Sequence, residues 1–332
     1  MITIALDAMG GDFGPSVTVK GAVLAISENE QLKLILVGRK EIIEKELHAI
    51  SPKGHPRIEI LHTDEEIMMD ESPTVAVRKK KKSSINIGLK LVKENKADAF
   101  VSAGNTGAVM AAAVLTLGKI PNIERPAIST VLSFDKSPVV VLDIGSNVDC
   151  KPQYLFEFAI MGNFFAKYVL NIKNPRIGLL NIGEEAEKGD NLTRATYELL
   201  KESDLNFIGN IESKDILFNK ADIIVCDGFI GNTLLKFGEG LVAFIFDFFK
   251  KEYKSSLLSK IGFLLLVPAL NRFKKHFDYE EFGGAPLLGV NGIAIIAHGK
   301  SKPKAIKNAI LTAVQTFNSQ MVNKLSGVFV EK

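Results

Sequence analysis

Apolar and polar positions along the chain alternate between two patterns. Short runs rich in Val, Ile and Leu, most of them continuous, predict strands at 2–6, 32–37, 58–62, 99–101, 128–132, 139–142, 177–180, 206–208, 223–226 and 293–297. Between them, apolar residues recur at helical spacing and predict helices at 16–27, 85–94, 107–117, 155–169, 192–201 and 303–324. Continuous apolar strands suit a sheet covered on both faces. Strand–helix alternation from end to end therefore predicts an open α/β sheet between helical layers. No internal repeat or low-complexity linker interrupts it, so a single α/β domain over 1–332 is expected. One stretch departs from the rule: from 232 to 276 every signal is helical, which predicts a helical excursion at about 233–280.

Composition narrows the class. Apolar residues make up 46% of the 332 and charged residues 24%, which excludes disorder. Lys and Arg number 41 against 38 acidic residues, and no basic stripe carries interleaved aromatics, so nucleic acid is not an expected partner. The two cysteines, Cys150 and Cys226, exclude a disulfide framework and a four-thiolate zinc site. The chain opens on a strand pattern and not a signal peptide, and no apolar run reaches the ~20 residues of a membrane span. A reducing cytoplasm is the expected compartment.

Candidate chemistry gathers where strands end. Glycine-bearing turns follow five predicted strands: DAMGGD at 7–12, SAGNTG at 102–107, DIGSN at 143–147, NIGEE at 181–185 and DGFIGN at 227–232. In a parallel sheet such turns share the carboxyl edge, where these folds bind ligands. Glycine lets backbone N–H groups approach an anion, and a helix N-terminus adds partial positive charge. The set points to a phosphate-bearing ligand; tight turns serving only the fold are the alternative. No P-loop, zinc-protease, C-x-x-C or G-x-S-x-G pattern occurs, and no G-x-G-x-x-G follows a strand, so neither a cofactor nor a metal is expected.

With DIGSNVDCKP at 143–152, GLLNIGEE at 178–185 and Lys188-Gly189, FGGAPLLGVNG at 282–292 and AHG at 297–299, these motifs resemble the bacterial phosphate acyltransferase family, in order and over nearly the whole chain. The resemblance implies transfer of a long-chain fatty acyl group from acyl carrier protein to inorganic phosphate, giving acyl-phosphate for phosphatidic acid and phospholipid synthesis. It implies a three-layer α/β/α sandwich with a mostly parallel sheet, similar to phosphotransacetylases and isocitrate-type dehydrogenases, with a protruding helical hairpin. A homodimer, peripheral attachment to the inner face of the cell membrane and a downstream glycerol-3-phosphate acyltransferase belong to the same picture. Two rivals stand beside it: a short-chain phosphotransacetylase-like enzyme using acyl-CoA, and a non-catalytic peripheral membrane scaffold.

Phosphate is already anionic at neutral pH, so such an enzyme needs no strong base. It must hold two reactants together and stabilise the oxyanion formed at a thioester carbonyl. The resemblance assigns Lys188 to phosphate or to that oxyanion. Asn232 is expected at a helix N-cap, donating its amide to the carbonyl. His298 is either the acid that protonates the leaving thiolate or a structural histidine. Gly10, Gly11, Ser102, Gly104, Asn105, Thr106, Gly107, Asn147 and Gly231 are the expected phosphate and substrate contacts. Asp7, Asp12 and Asp143 are expected to organise loops, because an anion would repel them. Phosphate being the nucleophile, Cys150 is not expected to attack, and Cys226 reads as core.

Two further segments have paired readings. Arg78, Lys79, Lys80, Lys81 and Lys82 are a solvated face or a docking surface that steers an acidic carrier protein. The apolar stretch with Ile261, Phe263, Leu264, Leu265, Leu266 and Val267 is a dimer core or a tip that enters the surface of a bilayer beside flanking lysines. A fatty-acyl product favours the membrane.

Overall fold

A computed structural model of the chain describes residues 1–134, 137–252, 257–276 and 283–330. In chain order the elements are β1 (Ile2–Asp7), α1 (Pro15–Glu28), β2 (Leu32–Gly38), α2 (Lys40–Ile50), β3 (Ile58–His62), α3 (Pro73–Lys79), α4 (Ser84–Lys93), β4 (Ala99–Ser102), α5 (Thr106–Leu117), β5 (Ala127–Phe134) and β6 (Ser137–Leu142). Then come α6 (Pro152–Tyr168), β7 (Ile177–Leu180), α7 (Asn191–Lys201), β8 (Phe207–Ile211), a 3-10 turn (Ser213–Phe218), β9 (Ile223–Val225), α8 (Gly228–Glu252), α9 (Leu257–His276), β10 (Ala285–Leu288), β11 (Ala294–Ile296), α10 (Pro303–Asn318) and α11 (Met321–Val330). They gather into two compact units. Met1–Thr130, Ile160–Lys173 and Tyr279–Lys332 form the first; Val131–Ala159 and Asn174–Asp278 form the second. Two of the chain's four crossings between them fall inside β5 and inside α6, where no shift of composition marks the boundary.

In the first unit the strand order is β3-β2-β1-β4-β11-β10-β5. Neighbours from β3 to β11 are parallel, while β10 runs antiparallel to β11 and to β5. Ile4, Leu6, Leu34, Leu36 and Val101 pack on one face with Val19 and Ile26 of α1 and Ile306 and Ile310 of α10. Gly21 lets those two helices meet, since a Cβ there would stand 2.5 Å from Ile306 Cβ. Phe100 alternates to the other face and lies against Gly88 of α4. Burial on both faces is why these strands read as continuous apolar runs.

The second unit carries four parallel strands in the order β6-β9-β7-β8, with Val139, Val141, Leu180, Ile211 and Ile224 in its core. Within each unit, parallel pairing brings the turns after successive strands to one edge. The turns after β1, β4 and β11 share an edge in the first unit; those after β6, β7 and β9 share one in the second.

The mostly parallel α/β architecture is the expected one. Three local departures have physical reasons. β10 lies inside the glycine-rich 282–292 motif, where Pro286 argues against a strand. The helix expected over 303–324 breaks after Asn318, where the chain turns through Gln320 at φ 54°. The helical stretch opens at Gly228, four residues early. Gly228–Lys251 is also long and apolar enough to cross a membrane by length and composition, with mean hydropathy 1.4, which corrects the expectation that nothing reaches such a length. Lys236 and Glu239 interrupt the apolar run, but they pair with each other at 2.9 Å one turn apart. In α9, Leu264, Leu265 and Leu266 are exposed and Phe263 and Val267 half-buried, while the side chain of Ile261 lies outside the described residues.

Candidate functional site

The edge of the first unit is built around Asp7, which ends β1 and is buried. Ser102, ending the adjacent β4, donates its hydroxyl to Asp7 Oδ2 at 2.7 Å and accepts from Gly104 N at 2.9 Å. Met9 N donates to Asp7 Oδ1 at 3.1 Å. A Cβ on Gly10 would stand 2.7 Å from both Asp7 Oδ2 and Gly104 N, so the two glycine turns touch only because Gly10 has none. Asp12 N donates to Gly299 O at 2.8 Å and ties the first turn to the AHG turn after β11.

Burial raises the Asp7 carboxyl above its ordinary value, against the pull of hydrogen bonds from Ser102 and Ser84. A group raised in the folded state stabilises most fully below its unfolded value and loses that contribution as pH rises through the folded one. Urea unfolding from acid toward neutral pH is therefore expected to show wild-type stability falling relative to Asp7→Asn. A difference that is flat or runs the other way refutes this.

Asn105 sits at the N-cap of α5 and is itself buried. Its Oδ1 accepts from Ala108 N at 3.0 Å, while Nδ2 faces the carbonyls of Met68, Met69 and Glu71 at 3.3, 3.1 and 3.1 Å. The amide expected to meet substrate is thus engaged with the protein's own backbone. Thr106 is exposed at the start of the helix, where N–H groups have no partner within the helix. Gly107 lies against Pro73; a Cβ there would be 2.7 Å from its Cγ. His298 is exposed and accepts at Nδ1 from Lys300 N at 3.1 Å, which in the neutral ring places the proton on Nε2.

The basic run divides. Arg78, Lys79, Lys81 and Lys82 are exposed. Lys80 turns inward and donates to Glu66 O at 2.8 Å and Glu71 Oε2 at 2.6 Å; its ammonium holds the Glu71 carboxyl below the usual range. Sequence reasoning passed over the partner segment, 63–72. There Glu65 accepts from Lys82 N at 3.0 Å, and Glu66 pairs with Arg39 at 2.8 Å. The signal was present: Asp64, Glu65, Glu66, Asp70 and Glu71 stand just ahead of the lysines.

The second unit's edge is organised by buried Asp143. Its Oδ1 accepts from Gly145 N at 3.3 Å and Ser146 Oγ at 2.5 Å; its Oδ2 accepts from Asn147 N at 2.7 Å and Asn147 Nδ2 at 2.9 Å. The Asn147 side chain therefore holds the turn, and its carbonyl accepts from Gly228 N at 2.7 Å. A Cβ on Gly231 would overlap the Asp143 carbonyl oxygen, so only glycine fits.

Asn232 is not an N-cap. Asp227 is the residue before α8, and its Oδ1 accepts from Phe229 N and Ile230 N at 2.9 Å each. An aspartate that satisfies two free amides starts the helix there. Asn232 is exposed one turn later, where a Cβ on Gly145 would lie 3.6 Å from its Cγ.

Lys188 is exposed on the 181–190 loop. Its N–H donates to Glu185 O at 3.1 Å, and its carbonyl accepts from Asn181 Nδ2 at 3.0 Å. Its stem runs past Gly183, where a Cβ would be 3.1 Å from Lys188 Cγ. No hydrogen bond or ion pair falls to its ammonium among the described residues. Cys150 is half-buried with Sγ 3.4 Å from Asn147 O, and burial, then Asp143, pushes the Cys226 thiol well up.

The fold is that of the phosphotransacylases. A phosphotransacetylase from Streptococcus pyogenes superposes with TM-score 0.63 at 19% identity, over 96% of this chain and 94% of that one. A branched-chain phosphotransacylase from Enterococcus faecalis gives 0.61 at 13%, over 96% and 99%. Sequence carries the assignment further. A family model described as fatty acid synthesis protein matches residues 2–324. Phosphate acyltransferases of Moorella thermoacetica and Heliobacterium modesticaldum are 53% identical over 322 residues and 52% over 312, spanning 97% and 94% of this chain and 94% and 93% of theirs. The chain belongs to this phosphate acyltransferase family, as its glycine motifs led one to expect, and is an acyltransferase.

Proposed function

We propose that the protein transfers a long-chain fatty acyl group from acyl carrier protein to inorganic phosphate, supplying acyl-phosphate for phosphatidic acid and phospholipid synthesis. The observation that carries this reading is the Lys188 ammonium, which stands unpaired among the described residues on a backbone-braced loop at a strand-end edge. A phosphate oxygen attacks the thioester carbonyl, the carbon–sulfur bond breaks, and the phosphate's proton ends on the departing thiol. Lys188 holds phosphate or the oxyanion, and Asn232 donates its amide to that oxyanion. Gly11 offers a backbone N–H to an anion, and His298, when protonated, gives its Nε2 proton to the thiolate and regains one as the phosphate gives up its own. Arg78, Lys79, Lys81 and Lys82 steer the acidic carrier protein, an attraction screened over ~10 Å at 0.1 M salt.

The test is incubation with palmitoyl carrier protein and phosphate, without nucleotide, trapping acyl-phosphate as its hydroxamate. Expected are turnover that needs phosphate and a KM for the carrier protein that rises with salt. Turnover only with ATP or NAD, or a preference for butyryl-coenzyme A, overturns the reading.

We also propose that the protein is a homodimer attached reversibly to the cytoplasmic membrane surface, handing its product to a glycerol-3-phosphate acyltransferase there. Exposed Leu264, Leu265 and Leu266 support this, as does the apolar length of α8. Inserting two or three large side chains contributes ~1.5–3 kcal/mol each. Leu264→Glu with Leu266→Glu is expected to abolish co-sedimentation with anionic vesicles while the dimer persists in light scattering. Retained vesicle binding refutes the anchor; loss of the dimer moves this segment to the subunit interface.

A further inference from the structure

We infer that Met68 and Met69 form the surface that receives the acyl chain of the donor, and that Asn105 is the positioning residue that holds them there. This rests on the acyl-transfer reading above.

Two consecutive methionines stand exposed, at 51% and 45%, on a segment whose backbone is tied down. The Asn105 amide faces both their carbonyls and that of Glu71. Met68 N donates to Glu71 Oε2 at 2.7 Å, and Lys80 holds the same carboxylate oxygen at 2.6 Å. Hydrogen bonds anchor the backbone and leave the apolar side chains outward, so display of the two thioethers is built into this segment.

Their place gives the ligand's chemistry. A Cβ on Gly299 would be 2.9 Å from Met69 Cε, so the methionine tip lies over the AHG turn. That turn accepts from Asp12 N through Gly299 O, and the same oxygen would be 3.0 Å from a Cβ on Gly11. The apolar surface thus begins where the anion-suited glycine turn ends. Phe13, directly after Asp12, is 54% exposed, and Val75 on α3 is 49% exposed. A polar edge continued by an apolar one fits an amphiphile whose reacting carbonyl stays at the glycines while its hydrocarbon tail runs over the methionines. Methionine suits such a tail, because an unbranched side chain with three rotatable bonds adapts to the surface it meets.

The experiment compares kcat/KM for palmitoyl and butyryl thioesters of acyl carrier protein. Met68→Ser with Met69→Ser is expected to lower the palmitoyl-to-butyryl ratio about tenfold or more, since the longer chain loses more apolar contact. Asn105→Asp keeps an oxygen to cap Ala108 N and removes the donor to the three carbonyls. It is expected to lower the same ratio while KM for phosphate stays within about twofold. An unchanged ratio in the methionine variant overturns the chain-binding surface. A rise in phosphate KM without a change of ratio in Asn105→Asp puts that amide on phosphate and overturns its positioning role. A wild-type protein with no turnover overturns the functional reading as well, whereas an active wild type with an unshifted variant overturns this inference alone.

Discussion

Lys188→Ala is expected to lower kcat about 100- to 1000-fold in a protein that still folds. The residue is exposed, and its loop is braced by backbone groups that alanine keeps, namely Lys188 N on Glu185 O and Lys188 O under Asn181 Nδ2. Only the ammonium is lost. Surface substitutions of this kind change stability by about 0.5 kcal/mol or less. Removing one oxyanion donor costs ~2.7–4 kcal/mol of transition-state stabilisation. The kinetic parameters then separate the two roles. A fall in kcat at constant phosphate KM places the ammonium on the oxyanion, while a raised phosphate KM at constant kcat places it on bound phosphate. Both parameters near wild type would remove Lys188 from the reaction.

Asp143→Ala is expected to destabilise the protein by about 3–5 kcal/mol, a drop of about 6–20 °C in Tm. The carboxylate is fully buried and collects the backbone N–H groups of Gly145, Ser146 and Asn147 together with the Ser146 hydroxyl and the Asn147 amide. Alanine removes the acceptor these donors share; Gly145 is exposed and Ser146 and Asn147 are half-buried, so water offsets part of the loss, and each donor left unsatisfied costs ~1–3 kcal/mol. Asp143→Asn keeps one acceptor but turns an NH2 toward other donors, so it should fall between. Urea midpoints order the three proteins. A change under about 1 kcal/mol in Asp143→Ala would mean the turn is held by something else.

The strands were legible because burial on both faces writes itself as continuous apolar sequence, and Ile4, Leu34 and Val101 obey that rule. β10 escaped because Pro286 speaks against a strand locally, while its position between β11 and β5 is set by tertiary pairing. Glycine motifs were legible for a similar reason: Gly10 and Gly231 stand where no Cβ fits, so the residue type carries the geometry. Helix starts were less so. DGFIGN offers both Asp227 and Asn232 as caps, and the choice of Asp227 follows from its two amide partners, which the sequence does not display. Asn105 shows the limit most clearly. Its turn and cap follow from local sequence, but the destination of its amide depends on residues 68–71, distant in the chain. Lys80 behaves likewise: in a run of four lysines, nothing in the sequence says which one faces inward.

Near one end of α8, Gly231 is seated against the Asp143 carbonyl; from there the 25-residue helix runs on to Glu252, about 32 Å away. A rigid rod held this way turns about its wedged end when its far end is displaced. A tilt of about 5° moves the far turn by roughly 3 Å yet shifts the first turn by only a few tenths of an ångström. Whatever surface carries the outer end can therefore undulate or yield while the turn holding Asn232 stays in register with Gly145. Leverage, here, insulates.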